Sequence, residues 1–320
     1  MGNVGPSQIH FGIKSKLDFI IGESYMKIHR LLEGAYDIHV HASPDVIPRA
    51  MDIIQIAKAA REQKMAGLLI KDHTTATTGR VYVLNHLLGG SCHFFSSLAL
   101  NAPVGFVNPT AVESALRSGT DVIYFPTYGA ENHIKRWGLG KPPTAFPVPM
   151  DNKNGFNLLN ETDKTKNDIQ AILKLIAEYD TVLATGHLSP IESMELIKQA
   201  VENGVKRIVV THASESVVDM EPDQQKEAVR MGAMIEHCFF AVTDSCPDKI
   251  TLEKIKEQIR YVGISSSILS TDFGQMKNAS PIEGFSYYLE KMQALGFSKD
   301  ELHVMIHDNP KKLIERRRTQ

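Results

Sequence analysis

The sequence has few cysteines, no apolar run of membrane length and no excess of charge of one sign. Its three cysteines, Cys92, Cys238 and Cys246, show no paired spacing, which argues against a disulfide framework and against a cysteine zinc site. No apolar run approaches the roughly 18 residues that a membrane helix requires. The first residues also lack the apolar core of a signal peptide. We therefore expect a cytoplasmic protein with buried thiols and no membrane partner.

Charge gives no indication of a nucleic-acid partner. The formal net charge of the 320 residues is −2, and acidic and basic residues are interspersed apart from three arginines at 316–318. No glycine-rich phosphate loop follows the first predicted strand, which counts against a dinucleotide-binding fold. The chain is long enough for one domain of about 250 residues with additions.

The sequence does contain a regular alternation of apolar strands and amphipathic helices. Apolar residues recur at three- and four-residue steps over 51–64, 190–203 and 251–261, which predicts helices there. Strands are predicted over 36–41, 67–73, 93–100, 122–127, 181–187, 207–212, 233–238 and 266–272. Strands buried on both faces and alternating with helices pair in parallel, and eight such units favour an α/β fold, the closed (β/α)8 TIM barrel, over an open sheet. We predict an N-terminal arm with a short helix (24–32) over 1–34, and the barrel with a C-terminal helix over 35–320.

One long connection, over 128–163, interrupts the alternation after the fourth strand. Trp137, the glycines at 138 and 140 and four prolines between 142 and 149 give it a density of breakers that predicts no helix. Such a segment would lie above the C-terminal face of the barrel, where lids occur. A surface excursion without a role is the alternative.

Histidine or aspartate ends several of the predicted strands. His39 and His41 are two residues apart in the first strand, so both point to one face, about 7 Å apart. His187 ends the fifth strand, His212 the sixth and Asp272 the eighth. Because the C-terminal ends of barrel strands meet at one face, these side chains should converge. Imidazole and carboxylate ligands predict a site for one or two divalent ions, with zinc favoured and manganese, iron and nickel acceptable.

A divalent ion at such a site lowers the pKa of a bound water towards ~7 and polarises a carbonyl or phosphoryl oxygen. Asp272 is then the natural acceptor for the proton of that water, which it would pass to the leaving group. Asp272 and His212 are therefore our catalytic candidates.

The order of these residues resembles the amidohydrolase superfamily of metal-dependent hydrolases. The matching positions are His39-Val40-His41, His187, His212, Asp272 and an Asn-Pro segment over 305–313. The resemblance spans roughly 36–314 and implies a (β/α)8 barrel that holds one or two metal ions, with Asp272 as ligand and general base.

The sequence departs from this pattern at the fourth strand. Many binuclear members carry a bridging glutamate or carboxylated lysine there, whereas this strand ends in Thr127 and Tyr128. The site is then mononuclear, or the bridge comes from elsewhere, such as Lys71 on the second strand after carboxylation by carbon dioxide. Alternatively, Lys71 binds a substrate anion or pairs with Asp72, and His73 contacts the substrate or the metal.

The seventh strand carries Glu236 and His237 on opposite faces, and alternation alone does not decide which faces inward. An inward His237 would contact the substrate, whereas an inward Glu236 would orient a ligand histidine. His133, in the long connection, is a candidate to close over the site, but we interpret it as incidental because exposed loop histidines usually are.

Arginines after the early strands are candidates for binding a substrate anion. Arg80 follows a run of small hydroxyl residues at a predicted helix start, where backbone amides also attract anions. Arg49 and Arg136 are further candidates. A solvated arginine at a helix end is the alternative for each of them.

These observations favour a metal-dependent hydrolase that cleaves an amide, lactone or other ester bond of a small molecule, including an anionic one. The alternatives are a mononuclear decarboxylase of the same fold, a phosphoesterase and a noncatalytic ligand-binding barrel. A homo-oligomer is compatible with such a barrel, although the sequence shows no interface signature.

Overall fold

Eight parallel strands follow one another around a barrel in a computed structural model that describes residues 31–138 and 155–316. The strands are β1 (Tyr36–His41), β2 (Gly67–Lys71), β3 (His93–Ala99), β4 (Val122–Tyr124), β5 (Val182–Ala184), β6 (Ile208–Val210), β7 (Met234–Cys238) and β8 (Ser267–Ser270). Hydrogen bonds join the end of β8 to β1, from His41 N to Phe273 O (2.8 Å) and from Asp272 N to His39 O (2.9 Å). The predicted TIM barrel of the α/β class is confirmed.

Helices follow the strands, and most of them cover the outside of the barrel. They are α1 (Ile53–Glu62), α2 (Thr78–Leu88), α3 (Pro109–Arg117), α4 (Glu131–Trp137), α5 (Asp163–Glu178), α6 (Pro190–Glu202), α7 (Pro222–Arg230), α8 (Leu252–Val262), α9 (Pro281–Ala294), α10 (Lys299–His303) and α11 (Asn309–Ile314). The predicted helices over 51–64, 190–203 and 251–261 are confirmed as α1, α6 and α8. Capping boxes begin two of them, Asp52 with Gln55 at α1 and Ser189 with Glu192 at α6. The predicted helix over 24–32 lies almost entirely outside the described residues.

The interior of the barrel is apolar over most of its length. Side chains from all eight strands and from α11 form this inner core, among them Tyr36, Ile38, Leu69, Phe95, Val122, Val182, Val209, Met234 and Ile268. A larger apolar layer packs between the strands and the helices. Polar side chains inside the barrel are therefore concentrated at one end, where the strands finish.

Several strands end earlier than predicted, and the residues beyond them turn inward. His187 lies three residues after β5, and His212 and Asp272 lie two residues after β6 and β8. Gly186, His212 and Asp272 have φ of +66°, +34° and +53°, a conformation that breaks the pairing of a strand. The extended pattern of the sequence continued past these residues, which is why the predicted strands were too long.

Gly186 is required at its position, and Gly186→Ala should destabilise the barrel. A Cβ there would lie 2.2 Å from Phe125 O and 2.6 Å from Pro126 O, on a backbone with positive φ. We expect the free energy of unfolding, measured by urea denaturation, to fall by about 3 kcal/mol or more. Gly204→Ala is the matched control, because its φ is +82° but its Cβ would meet nothing within 4 Å. The close approach would be contradicted if Gly186→Ala lowered the free energy of unfolding by no more than the roughly 1 kcal/mol expected for Gly204→Ala.

The connection after β4 contains a helix that the sequence did not predict. Helix α4 occupies Glu131–Trp137, directly before the first glycine of the breaker-rich stretch. A bridge between Ala130 and Phe156 ties its start to the returning chain. Trp137, which the sequence analysis grouped with the breakers, is the last residue of this helix. Residues 139–154 lie outside the described part of the chain.

The chain after β8 returns to the bottom of the barrel through the Asn-Pro segment. Asn309 begins α11 and its side-chain amide donates to the carbonyls of Ile264 and Ser267, both at 2.7 Å. These bonds fix α11 to the start of β8, so the expected C-terminal helix is present.

The buried thiols expected from the sequence are present. All three cysteines are free and buried. None of the helices within 31–138 and 155–316 combines the length and the apolar character of a membrane span.

Candidate metal centre

The side chains predicted to converge lie together at the C-terminal end of the barrel. The group consists of His39, His41, Lys71, His73, His187, His212 and Asp272, all buried. Ring centroids of neighbouring histidines are 5.1 Å apart for His39 and His212, and 4.7 Å apart for His187 and His212. Side chains from five different strands therefore meet within one small volume.

Asp272 lies at the centre of this group. Its Oδ1 is 3.2 Å from His39 Nε2 and 3.0 Å from His41 Nε2, and its Oδ2 is 3.9 Å from His212 Nε2. The ligand atoms of His39, His41 and Asp272 all lie within 4.8 Å of one another. Two imidazoles and a carboxylate in this arrangement fit a divalent ion such as zinc.

Glu236 orients His39, which decides the alternative left open on β7. Both carboxylate oxygens of Glu236 are 3.2 Å from His39 Nδ1, and Glu236 also accepts from Ser270 Oγ (2.8 Å) and His212 N (3.1 Å). A carboxylate at Nδ1 places the proton of a neutral ring there and leaves Nε2 free as an acceptor. The unprotonated nitrogen, Nε2, is the one that faces Asp272.

Burial keeps the imidazoles of the cluster neutral. It lowers the pKa of His39 and of His212 to about 3, with Asp272 opposing the effect in each case. It also holds the pKa values of His41 and His187 well below their usual range. Neutral imidazole is the form that binds a metal.

His41 has a second partner in Arg49. The guanidinium Nη2 lies 3.2 Å from His41 Nδ1, and Arg49 also forms a 2.7 Å ion pair with Asp45 in the same loop. Arg49 is buried, and its Nη1 has no hydrogen-bond partner in the described part of the chain. This cation therefore lies directly behind one of the candidate ligands.

Lys71, the last residue of β2, and His73, two residues beyond it, both enter the cluster. Lys71 Nζ is 2.9 Å from His39 Nε2 and 4.6 Å from the centre of the Tyr124 ring. Burial lowers the pKa of Lys71, although Asp272 and Glu236 oppose the effect. The ring of His73 stacks on His41, with the centroids 4.8 Å apart.

Arg80 and His237, two candidates for substrate binding, lie outside the cluster. Arg80 pairs with Asp72 at 2.6 Å and contacts the carbonyl of Pro44, so it holds two loops together, and Asp72 is not the partner of Lys71. His237 points to the outer face of β7, where Nδ1 lies 2.6 Å from Ser214 Oγ. Strand alternation excludes His237 from the interior because Glu236 occupies it. Arg136, the third arginine, donates to Ser216 O on the surface of the α4 region.

Helix α4 brings His133 to the site, which is the alternative that the sequence analysis did not favour. His133 is 1% exposed, and its Nδ1 lies 2.7 Å from His187 Nδ1. Asn132, the preceding residue, donates to the carbonyls of His187 and Val217. Tyr128 and Trp137 line the cavity over Asp272 from the same segment. The interpretation of His133 as incidental is corrected, because the unpredicted helix turns it towards β5.

Glu215 is a further acidic residue that sequence reasoning missed. It follows His212 by three residues, is 1% exposed and lines the cavity together with Asp272. Its Oε2 is 3.6 Å from His212 Nδ1. It lies in a turn, where strand alternation predicts no direction. The only signal in the sequence was the spacing from His212.

Solved structures of other proteins share the fold. The chain is 10% identical to an amidohydrolase from Pseudomonas aeruginosa (TM-score 0.60), covering 90% of this chain and 97% of that one. It is 10% identical to a probable dipeptidase from the same organism (TM-score 0.61; 93% and 98% covered). It is 12% identical to a variant organophosphorus hydrolase from Deinococcus radiodurans (TM-score 0.55; 89% and 94% covered). At such identities the similarity concerns the fold, and for the fold the resemblance to the amidohydrolase superfamily is confirmed.

Sequence comparison places the chain in a family. No curated protein matches it. Residues 34–236 match the family model described as "Family of unknown function (DUF6282)", which covers β1 to most of β7. Because the match includes more than half of the chain, the protein belongs to the DUF6282 family.

Proposed function

We propose that the protein is a metal-dependent hydrolase that cleaves an amide, lactone or other ester bond of a small molecule. The observation that carries this proposal is the position of Asp272, whose Oδ1 faces the Nε2 atoms of His39 and His41 and whose Oδ2 faces that of His212. The names of the amidohydrolase and the organophosphorus hydrolase that share the fold support the same class of reaction.

The residues divide into ligands and groups that act on the substrate. His39, His41, His187, His212 and Asp272 would hold one or two divalent ions, which would activate water and polarise the bond to be cleaved. Asp272 would accept a proton from the attacking water and transfer it to the leaving group. Lys71 and His73, which line the cavity, are positioned to contact the substrate, and the buried Lys71 would favour an anionic one.

A decarboxylase is the second candidate, and one observation favours it. Arg49 is buried behind His41 with an unpartnered Nη1 among the described residues, and a buried guanidinium is suited to hold a carboxylate. Against this role, its other nitrogens already pair with Asp45 and His41, and it does not line the cavity.

The test of the proposal is an assay of metal-loaded protein against lactones, carboxyl esters, amides and phosphotriesters. We expect cleavage of one of these bond classes, loss of activity on chelation and recovery with zinc or manganese. Reaction in ¹⁸O-labelled water should place the label in the product. Release of carbon dioxide with no ¹⁸O in the organic product would instead identify a decarboxylase, and activity indifferent to chelation would exclude the proposal.

Glu236→Gln should weaken metal binding without removing a ligand. The neutral amide orients the His39 ring less strongly, because it no longer stabilises the Nδ1 proton with a full negative charge. We expect the Kd for the metal, measured by competition with a chelator, to rise by about 10- to 100-fold. Glu192→Gln is the control: Glu192 is equally buried but caps α6, so the Kd should not change. Equal Kd values for native protein and Glu236→Gln would show that Glu236 does not support His39.

A further inference from the structure

We propose that Glu215 is a metal ligand and that Glu215, His212 and Oδ2 of Asp272 form a second position for a divalent ion. The inference rests on the proposed function, because it shares Asp272 with the first position. It adds to that function a ligand that lies outside the predicted set of strand-end residues.

Glu215 is held in the mouth of the barrel by its own backbone. Its N donates to His212 O at 2.9 Å, and its carbonyl accepts from Val218 N (2.9 Å) and Asp219 N (2.7 Å). This tight turn after β6 directs the side chain inward to the cavity that Asp272 lines. The direction of the carboxylate is therefore set by the fold.

The carboxylate of Glu215 lacks the partner that its burial requires. The residue is 1% exposed, and its Oε2 has no hydrogen-bond partner among the described residues. A buried carboxylate costs several kcal/mol unless a cation or hydrogen-bond donors compensate. The nearest basic atom that forms an ion pair with it is His212 Nδ1 at 3.6 Å, beyond hydrogen-bonding distance.

His212 is also buried without hydrogen-bond partners for its side chain. Neither of its ring nitrogens has a hydrogen-bond partner in the described part of the chain, although the residue is 1% exposed. His39 differs, because Glu236 accepts from its Nδ1. Ligand atoms of His212, Glu215 and Asp272 lie within 4.8 Å of one another. One divalent ion would bind one ring nitrogen of His212 together with the carboxylates of Glu215 and Asp272.

The second position is distinct from the first because the two oxygens of Asp272 face different ligands. Oδ1 faces His39 and His41, and Oδ2 faces His212. A carboxylate shared in this way suits two ions about 3.5–4 Å apart. Among the described residues, the segment at the end of β4 offers no such bridge, since Thr127 bonds to His73 and Asn101. Glu215 therefore provides the acidic ligand that this segment does not.

The experiment is metal content per folded chain, measured by elemental analysis after loading with manganese and removal of free ion. We expect about two ions in native protein and about one in Glu215→Gln, with Glu192→Gln matching native protein. One ion in native protein, unchanged in Glu215→Gln, would overturn the inference and leave the proposed function intact. Two ions in Glu215→Gln would also overturn it. No ion in native protein would contradict the proposed function itself.

A measurement on native protein covers the case in which Glu215→Gln fails to fold. Two manganese ions bridged by one carboxylate give an exchange-coupled electron paramagnetic resonance spectrum. We expect that spectrum, and the six-line spectrum of isolated manganese at full loading would contradict the second position.

Discussion

Replacing His39 by alanine should remove metal from an otherwise folded barrel. His39 is fully buried, its Nε2 faces Asp272 Oδ1 at 3.2 Å, and Glu236 fixes its ring from behind. Loss of a partner behind a ligand costs about 10- to 100-fold in metal affinity, so loss of the ligand itself should cost more than 100-fold. We expect elemental analysis of His39→Ala to show at least one ion per chain fewer than in native protein.

His237→Ala is the control for this experiment. His237 is also a fully buried histidine of the barrel wall, but its side chain faces the outer layer and Ser214. His237→Ala should lower the free energy of unfolding while leaving the metal content unchanged. Full metal occupancy in His39→Ala would remove His39 from the ligand set.

Asp272→Asn should abolish most of the catalysis while preserving the fold. Asparagine has nearly the same shape and tolerates the positive φ of 53° at this position. It carries no negative charge and cannot act as a proton acceptor. Proton transfer of this kind contributes about 10²- to 10⁴-fold to rate, so we expect kcat to fall by at least that factor on whichever substrate the assay identifies.

Asp72→Asn is the matched variant, because Asp72 is buried at the same end of the barrel but pairs with Arg80. Its kcat should stay near that of native protein once the folded fraction is considered. Similar kcat values for Asp272→Asn and native protein would show that Asp272 is not the proton acceptor.

The order of the elements and most of the cluster followed from the sequence for a simple reason. Each helix of a barrel has one apolar face and each strand is buried, so the apolar periodicity of both can be seen in the sequence. In β1, strand alternation also places His39 and His41 on one face. A parallel barrel then brings all strand ends to one place. Predicting these positions therefore required no knowledge of contacts between residues that are distant in sequence.

The residues that sequence reasoning missed lie where periodicity carries no information. A turn sets the direction of the Glu215 side chain, and a short helix beside breaker residues sets that of His133. Both directions depend on backbone geometry that tertiary contacts determine. The choice between Glu236 and His237 depended on which face of β7 is interior, and packing decides this. Met234, two residues before Glu236, belongs to the inner core.

The most direct test of the account is to crystallise the protein with zinc or manganese and locate the ions by anomalous scattering. We expect an ion bound by His39 Nε2, His41 Nε2 and Asp272 Oδ1 at distances of about 2.0–2.2 Å. Ions bound elsewhere, with these three side chains unliganded at full loading, would contradict it.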